Sequence, residues 1–114
     1  MKYSISLKKN SYFKNVYNLG KSQANRYLVM YVIENGLKIN RIGISVSKKV
    51  GNSVIRHHVT RLVRESYRLN EDHFKTGYDI VIIGRVSSRS LNYFDIEKSI
   101  LKLSDLHGIL KEME

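Results

Sequence analysis

The chain has 114 residues, a formal net charge of +10 and no cysteine, proline or tryptophan. This length predicts one domain spanning residues 1–114, and the lack of cysteine excludes disulfides and thiolate metal sites. The longest apolar run, Tyr27 to Ile33, has seven residues, whereas a membrane-spanning helix needs about 18. The N-terminal segment lacks the apolar core of a signal peptide, so we expect a cytoplasmic protein that does not enter a membrane.

The basic residues are concentrated in two parts of the chain. Residues 1–26 carry a net charge of +6, residues 27–40 are neutral, residues 41–68 carry +6, and residues 69–114 carry −2. Such a polarised distribution is typical of a protein that binds a polyanion. Nucleic acid is favoured over an anionic membrane, because no basic segment also carries the exposed apolar face of an interfacial helix.

The first half of the chain predicts a helix followed by strands. Residues 11–20 form a helix that is too short to be stable unless it docks on the rest of the protein. β-branched and aromatic residues from Tyr27 to Glu34 predict a strand, and Asn35-Gly36 predicts the turn that follows it. From Arg41 to Ser47, apolar residues alternate with small or polar ones, so we expect a strand with one buried face and a second face that a helix or ligand can approach closely. Another short strand is expected within Lys21 to Ala24.

The second half predicts a helix, a strand and a helix. A helix is predicted from Asn52 to about Leu69, with Asn52 or Ser53 as its N-cap. A last helix is predicted from Asn92 to about Leu106. Tyr78 to Gly84 read as a short buried strand, and the tail from Gly108 is expected to fray. The element order αβββαβα predicts a single α+β domain. The predicted core positions of the helix from Asn52 are Ile55, Val59, Leu62, Ser66 and Leu69. Those of the last helix are Ile96, Ile100 and Leu103.

A second stripe on the helix from Asn52 is basic. His57, Arg61, Arg64 and Arg68 follow one another at i, i+4, i+7 and i+11, which places them within an arc of about 60°. Cations on one helix face repel each other, and a helix tolerates that repulsion more readily if an anion lies there. The planar arginine fork pairs well with phosphate oxygens. The alternative is an ordinary solvated face, which the charge of the whole half-chain disfavours. Further candidates for phosphate binding beside this stripe are Lys48, Lys49, Arg56 and His58.

Two aromatic residues on the first helix form a second candidate site. Phe13 and Tyr17 are four residues apart and therefore share one helix face. Aromatic rings stack on unpaired bases, but they also fill protein cores, and the spacing alone leaves both interpretations open.

The sequence offers no protein-based catalytic centre. The four histidines do not follow a metal-binding spacing, and no carboxylate flanks the His57-His58 pair. Asp79 and Asp95 are too isolated to predict paired acid and base groups. We therefore predict no metal site and no catalytic side chain in the protein.

Several segments resemble the ribonuclease P protein family, including residues 24–26 and 43–49. The stretch from Lys48 to Glu65 is similar to the family signature Lys-x-Gly-x-Ala-Val-x-Arg-Asn-Arg-x-Lys-Arg-x-x-Arg-Glu. The family opening Leu-Lys-Lys-x-x-x-Phe-x-x-Val-Phe-x-x-Gly is similar to residues 7–20. Three positions depart from the pattern, since His57, His58 and Thr60 stand where the family usually has asparagine, arginine and lysine.

The resemblance implies a fold and a function. The fold would be of the ribosomal-S5-second-domain type with a left-handed βαβ crossover. The protein would assist a catalytic RNA subunit, which uses Mg²⁺, in removing the 5′ leader of precursor tRNA, with no small-molecule substrate. The implied leader-binding cleft contains Phe13, Tyr17, Tyr31 and Ser45, and the implied contacts to the catalytic RNA are the basic stripe and its neighbours. Two rivals are a structural RNA-binding protein of similar fold and a nuclease that acts without RNA.

Overall fold

Five strands and three α-helices make up residues 1–112, the part of the chain that the computed structural model describes. Two short 3₁₀ helices, Glu71–His73 and Val86–Ser90, flank the last strand. Asn52, one of the two predicted N-caps, caps α2, and Asn92, predicted as the first residue of the last helix, is the N-cap of α3. The elements are β1 (Ser4–Ser6), α1 (Asn10–Leu19), β2 (Lys21–Ala24), β3 (Leu28–Glu34), β4 (Asn40–Val46), α2 (Ser53–Asn70), β5 (Tyr78–Gly84) and α3 (Tyr93–Leu106).

The strands form one mixed sheet in the order β1-β4-β5-β3-β2. β4 is parallel to β1 and β5, while β3 is antiparallel to β5 and β2. Because α2 connects the neighbouring parallel strands β4 and β5, the three elements form a βαβ unit. The α+β class and the order αβββαβα are confirmed, including the short strand β2, with one additional strand in front.

That additional strand, β1, is held in place by partners distant in sequence. The Glu71 carboxylate accepts the backbone N–H groups of Lys2 and Tyr3 at 2.8 and 3.1 Å, and the Ser4 hydroxyl lies 2.6 Å from that of Tyr67. Burial raises the pKa of Glu71, but the hydrogen bonds from Ser4, Lys2 and Tyr3 outweigh this effect and leave it below the ordinary value of 4.5. Three residues carry too little pattern to predict a strand, so β1 was missed.

The main core lies between one face of the sheet and the helices α2 and α3. Alternate residues of β3, β4 and β5 point into it, and the predicted α3 positions Ile96, Ile100 and Leu103 are all buried. The opposite sheet face is covered by α1, which buries a smaller cluster of Leu7, Val16 and Val81. We call this second side the α1 face.

The predicted core stripe of α2 is partly wrong. Val59 and Ser66 are buried as expected, but Leu69 is 56% exposed, and the other buried residues are Val63 and Tyr67. At 100° per residue the observed stripe is centred about 60° further around the helix than the predicted one. The rotation brings the large Tyr67 ring inward, where it packs on Phe74 at 4.9 Å between ring centroids.

The prediction that the tail frays from Gly108 is also wrong. Gly108 adopts a left-handed conformation with φ of 72°, which turns the chain so that Ile109 enters the core. Leu110 then forms a β-bridge with Phe74, and the Lys111 N–H donates to the His73 carbonyl at 2.8 Å. One buried isoleucine and the pairing around it are enough to hold this segment, while the last two positions, 113 and 114, lie outside the described residues.

Candidate RNA-binding surfaces

Both an apolar and a polar contact hold helix α1 against the sheet. Val16 is fully buried against the sheet. The Arg41 guanidinium lies 4.3 Å from the centre of the Tyr12 ring, a cation–π distance. Arg41 is in turn paired with the buried Asp79 carboxylate at 2.7 Å. These contacts determine which α1 side chains stand over the sheet.

Gly43 of β4 makes the room for Phe13. A Cβ atom at this glycine would lie 2.6 Å from Cζ of Phe13 and 3.3 Å from Cδ2 of Leu7, well inside the ordinary contact distance of about 3.5–4.0 Å. The absence of a side chain therefore lets the Phe13 ring rest directly on the strand. The expectation that a helix approaches the small-residue face of β4 closely is confirmed.

Tyr17, Tyr31 and Ser45 extend this aromatic surface along the α1 face, which we call the aromatic cleft. The Tyr17 ring lies 6.3 Å from Phe13 and 5.2 Å from Tyr31 between ring centroids. Burial raises the pKa of Tyr17, the Ser45 hydroxyl opposes this change, and Tyr31 adds to it. The Tyr17 hydroxyl is consequently a neutral hydrogen-bonding group on a ring that is 37% exposed.

Two apolar residues that the sequence analysis missed continue the same surface. Ile83 lies between Val29 of β3 and Ser45 of β4 in the strand register, and both apolar side chains are half-buried. The alternation along β3 could have found Val29, because it shares a face with Tyr31. The cleft is thus a half-exposed strip of rings and aliphatic groups with hydroxyls at one side, which suits an unpaired base.

The basic stripe of α2 lies on the outside of the molecule. Lys48, Lys49, His57, His58, Arg61, Arg64 and Arg68 are all exposed. Arg68 is paired with Glu65 at 2.5 Å, whereas in the described part of the chain neither Arg61 nor Arg64 forms a salt bridge. The structure thus brings the stripe residues together on one face, and it leaves those two guanidinium groups available to an external anion.

Arg56, beside the stripe, differs from these exposed residues. It lies about 100° from Ile55 around the helix, towards the core side, and it is half-buried. Its Nε atom is buried without a hydrogen-bond partner among residues 1–112. A buried donor without a partner is unfavourable by about 1–3 kcal/mol, so an anion that reached this group would remove a cost already present in the free protein.

Three arginines outside the two predicted sites lie between them. The start of β3 and the ends of β4 and β5 are at the same end of the sheet, since Leu28 and Val46 both pair with Gly84. Exposed Arg26 and Arg85 therefore stand beside the segment that leads to Lys48. Arg89 follows on the 3₁₀ helix Val86–Ser90. Their separation in sequence gave no signal, and only the sheet topology brings them together.

Within residues 1–112, no group of three or more histidine and carboxylate side chains is placed to hold a metal ion. No helix in that part of the chain is both long enough and apolar enough to span a membrane.

Comparison with known proteins identifies the family. The family model described as Ribonuclease P matches residues 1–107. The chain belongs to the ribonuclease P protein family. The ribonuclease P protein component of Lachnoclostridium phytofermentans is 56% identical over 111 residues, which cover 97% of this chain and 96% of that protein. The corresponding component of Clostridium botulinum strain Langeland is 52% identical, over 90% of this chain and 94% of that protein.

Solved structures of ribonuclease P proteins have the same fold. The protein from Staphylococcus aureus matches with a TM-score of 0.86 and 33% identity over 93% of this chain and 97% of that one. The protein from Thermotoga maritima matches with a TM-score of 0.80 and 30% identity over 86% of this chain and 93% of that one. The residues matched by the family model, 1–107, include both the aromatic cleft and the α2 stripe.

Proposed function

We propose that this chain is the protein component of a ribonuclease P ribonucleoprotein. It binds the catalytic RNA subunit through the basic stripe and the 5′ leader of precursor tRNA through the aromatic cleft. The RNA subunit, with Mg²⁺ ions, cleaves the precursor to give the mature tRNA 5′ end. The protein acts in the cytoplasm and contributes binding and charge neutralisation.

The observation that carries this proposal is the pairing of two different surfaces on one small domain. The aromatic cleft presents half-exposed rings and hydroxyls, which suit the bases of a single strand. The α2 stripe presents a convex row of guanidinium, ammonium and imidazole groups, which suits the phosphates of folded RNA. A structural RNA-binding protein needs only the second surface, and a nuclease that acts without RNA needs a catalytic cluster in the protein.

The cleft is tested by replacing Phe13 and Tyr17 together by leucine. Leucine keeps an apolar surface and removes the flat rings, so affinity for precursor tRNA should fall by about 1–3 kcal/mol per lost stacked base. Affinity for mature tRNA and assembly with the catalytic RNA should not change. The measurement is the ratio of the precursor and mature Kd values for the assembled enzyme.

Thermal denaturation distinguishes reading of the leader from core packing. If the double variant melts at a lower temperature and loses affinity equally for both substrates, the rings serve the core and the cleft proposal is wrong. Assays of the RNA-free protein on precursor tRNA address the third possibility. Cleavage by the protein alone would contradict the assignment of catalysis to RNA.

A further inference from the structure

A second groove lies on the opposite side of the sheet from the aromatic cleft. The turn before β3 and the outer side of α3 enclose a volume of about 470 Å³. Its apolar lining comes from Tyr27 and Leu91, and its polar lining includes Asn25, Lys98, Ser99 and Lys102. We call it the α3 groove. It is concave and of mixed character, unlike the convex α2 stripe.

The turn that forms one wall of the groove is rigid. The Asn25 Oδ1 atom accepts the backbone N–H groups of Tyr27 and Leu28, both at 2.9 Å. The Arg85 guanidinium donates to the Asn25 carbonyl at 2.9 Å, and the Arg85 N–H donates to the Tyr27 carbonyl at the same distance. Binding against this wall would therefore require little loss of backbone freedom.

The charged side chains that line the groove are Asp95, Lys98 and Lys102, which sum to +1. Lys98 and Lys102 are exposed one helical turn apart, and like charges at this spacing repel each other. Neither lysine forms a salt bridge within residues 1–112. The carboxylate of Asp95, which also lines the groove, is engaged in the capping box of α3 with Asn92. Its charge partly offsets those of the lysines, and the groove remains net positive.

The α3 groove and the aromatic cleft both take a tyrosine from the segment around the start of β3. Tyr27 and Tyr31 are four residues apart on the same chain segment, which corresponds to about 13 Å at the rise of an extended strand. Arg26 is exposed on the turn before β3, and Arg85 is hydrogen-bonded to that turn. A single strand leaving the cleft can cross the end of the sheet over these two cations and reach the groove.

We propose that the α3 groove binds the distal part of a long 5′ leader, beyond the nucleotides held in the aromatic cleft. The inference rests on the proposed function and extends it to a substrate class, precursor tRNAs with long single-stranded leaders. A concave site lined by an aromatic ring, an aliphatic side chain and two flexible lysines suits an unpaired nucleotide. A rigid double helix would meet the convex stripe instead.

The test compares precursor tRNAs with leaders of about 5 and about 15 nucleotides, a span comparable to known single-strand site sizes. The assembled enzyme is prepared with wild-type protein, Lys98→Glu, Lys102→Glu or the control Lys38→Glu. Lys38 is exposed at the opposite end of the sheet, so the control makes the same charge change far from the path. We expect a loss of about three- to tenfold in affinity for the long leader in the two groove variants only.

The outcomes separate this inference from the proposed function. Equal losses for both leaders, or weakened assembly with the catalytic RNA, would mean that the groove contacts the catalytic RNA, and would overturn the inference. A wild-type enzyme that gains nothing from the longer leader would overturn it as well, while a preserved preference for the short-leader precursor over mature tRNA leaves the cleft proposal standing. Should a glutamate variant melt early, Lys98→Gln removes the charge without reversing it and must show the same selective loss.

Discussion

Adding a methyl group at Gly43, which lies under the Phe13 ring, tests whether that ring binds the leader. In Gly43→Ala the new Cβ atom would lie 2.6 Å from Cζ and 2.7 Å from Cε1 of Phe13. Ordinary carbon contacts are about 3.5–4.0 Å, so the ring must move outwards by about 1 Å. Phe13 is half-buried at the open side of α1, and it can move without disturbing the main core on the other side of the sheet.

The size of the effect follows from that displacement. A shift of about 0.5–1 Å forfeits a quarter to a half of a contact energy, and one stacked base contributes about 1–3 kcal/mol. The loss of leader affinity should therefore be about 0.3–1.5 kcal/mol, or about two- to tenfold in Kd. Unfolding stability should fall only slightly, because the displaced atoms are the far end of a half-buried side chain outside the main core.

Precursor and mature tRNA affinities, measured with the assembled enzyme, give the readout. The control is Gly84→Ala, whose Cβ would meet Ser88, Val46 and Val59 at 3.3 Å on the core side of the sheet. This variant should lose stability and keep the substrate ratio. If Gly43→Ala were destabilised while its precursor-to-mature ratio stayed at the wild-type value, Phe13 would be a packing residue and the reasoning would be refuted.

Two further predictions concern charge. Arg61→Ala and Arg64→Ala should each reduce the slope of log affinity against log salt for the catalytic RNA by about one per lost phosphate contact, and unchanged slopes would show a merely solvated stripe. The pKa of Glu71 is lowered in the folded protein, so its carboxylate stabilises the fold at pH values above its ordinary pKa of 4.5. This contribution disappears as the pH falls through the lower pKa of the folded state. Glu71→Gln should therefore flatten the fall in unfolding free energy at acid pH, as measured by urea unfolding, and an unaltered fall would contradict this.

Local patterns were sufficient for most elements and for the character of both sites. Strict alternation in β4 predicts a strand whose small-residue face admits α1, since side chains on a strand point alternately to either side. The asparagine before α2 predicts where that helix begins, because its side chain satisfies a free backbone N–H. The spacing of Phe13 and Tyr17 places both rings on one side of α1, although it could not say that the sheet leaves them half-exposed.

Long-range contacts decided the rest. Helical periodicity fixes which residues share a side of α2 but not which side meets the sheet, so Leu69 was assigned to the core that Tyr67 occupies. β1 and the segment after Gly108 are too short to carry a pattern, and each is held by partners far away in the sequence. Arg26 and Arg85 are 59 residues apart along the chain, and they meet because an antiparallel and a parallel pairing bring the ends of three strands together. Pairing of strands distant in sequence is a property of the folded sheet, and no local repeat of residue types encodes it.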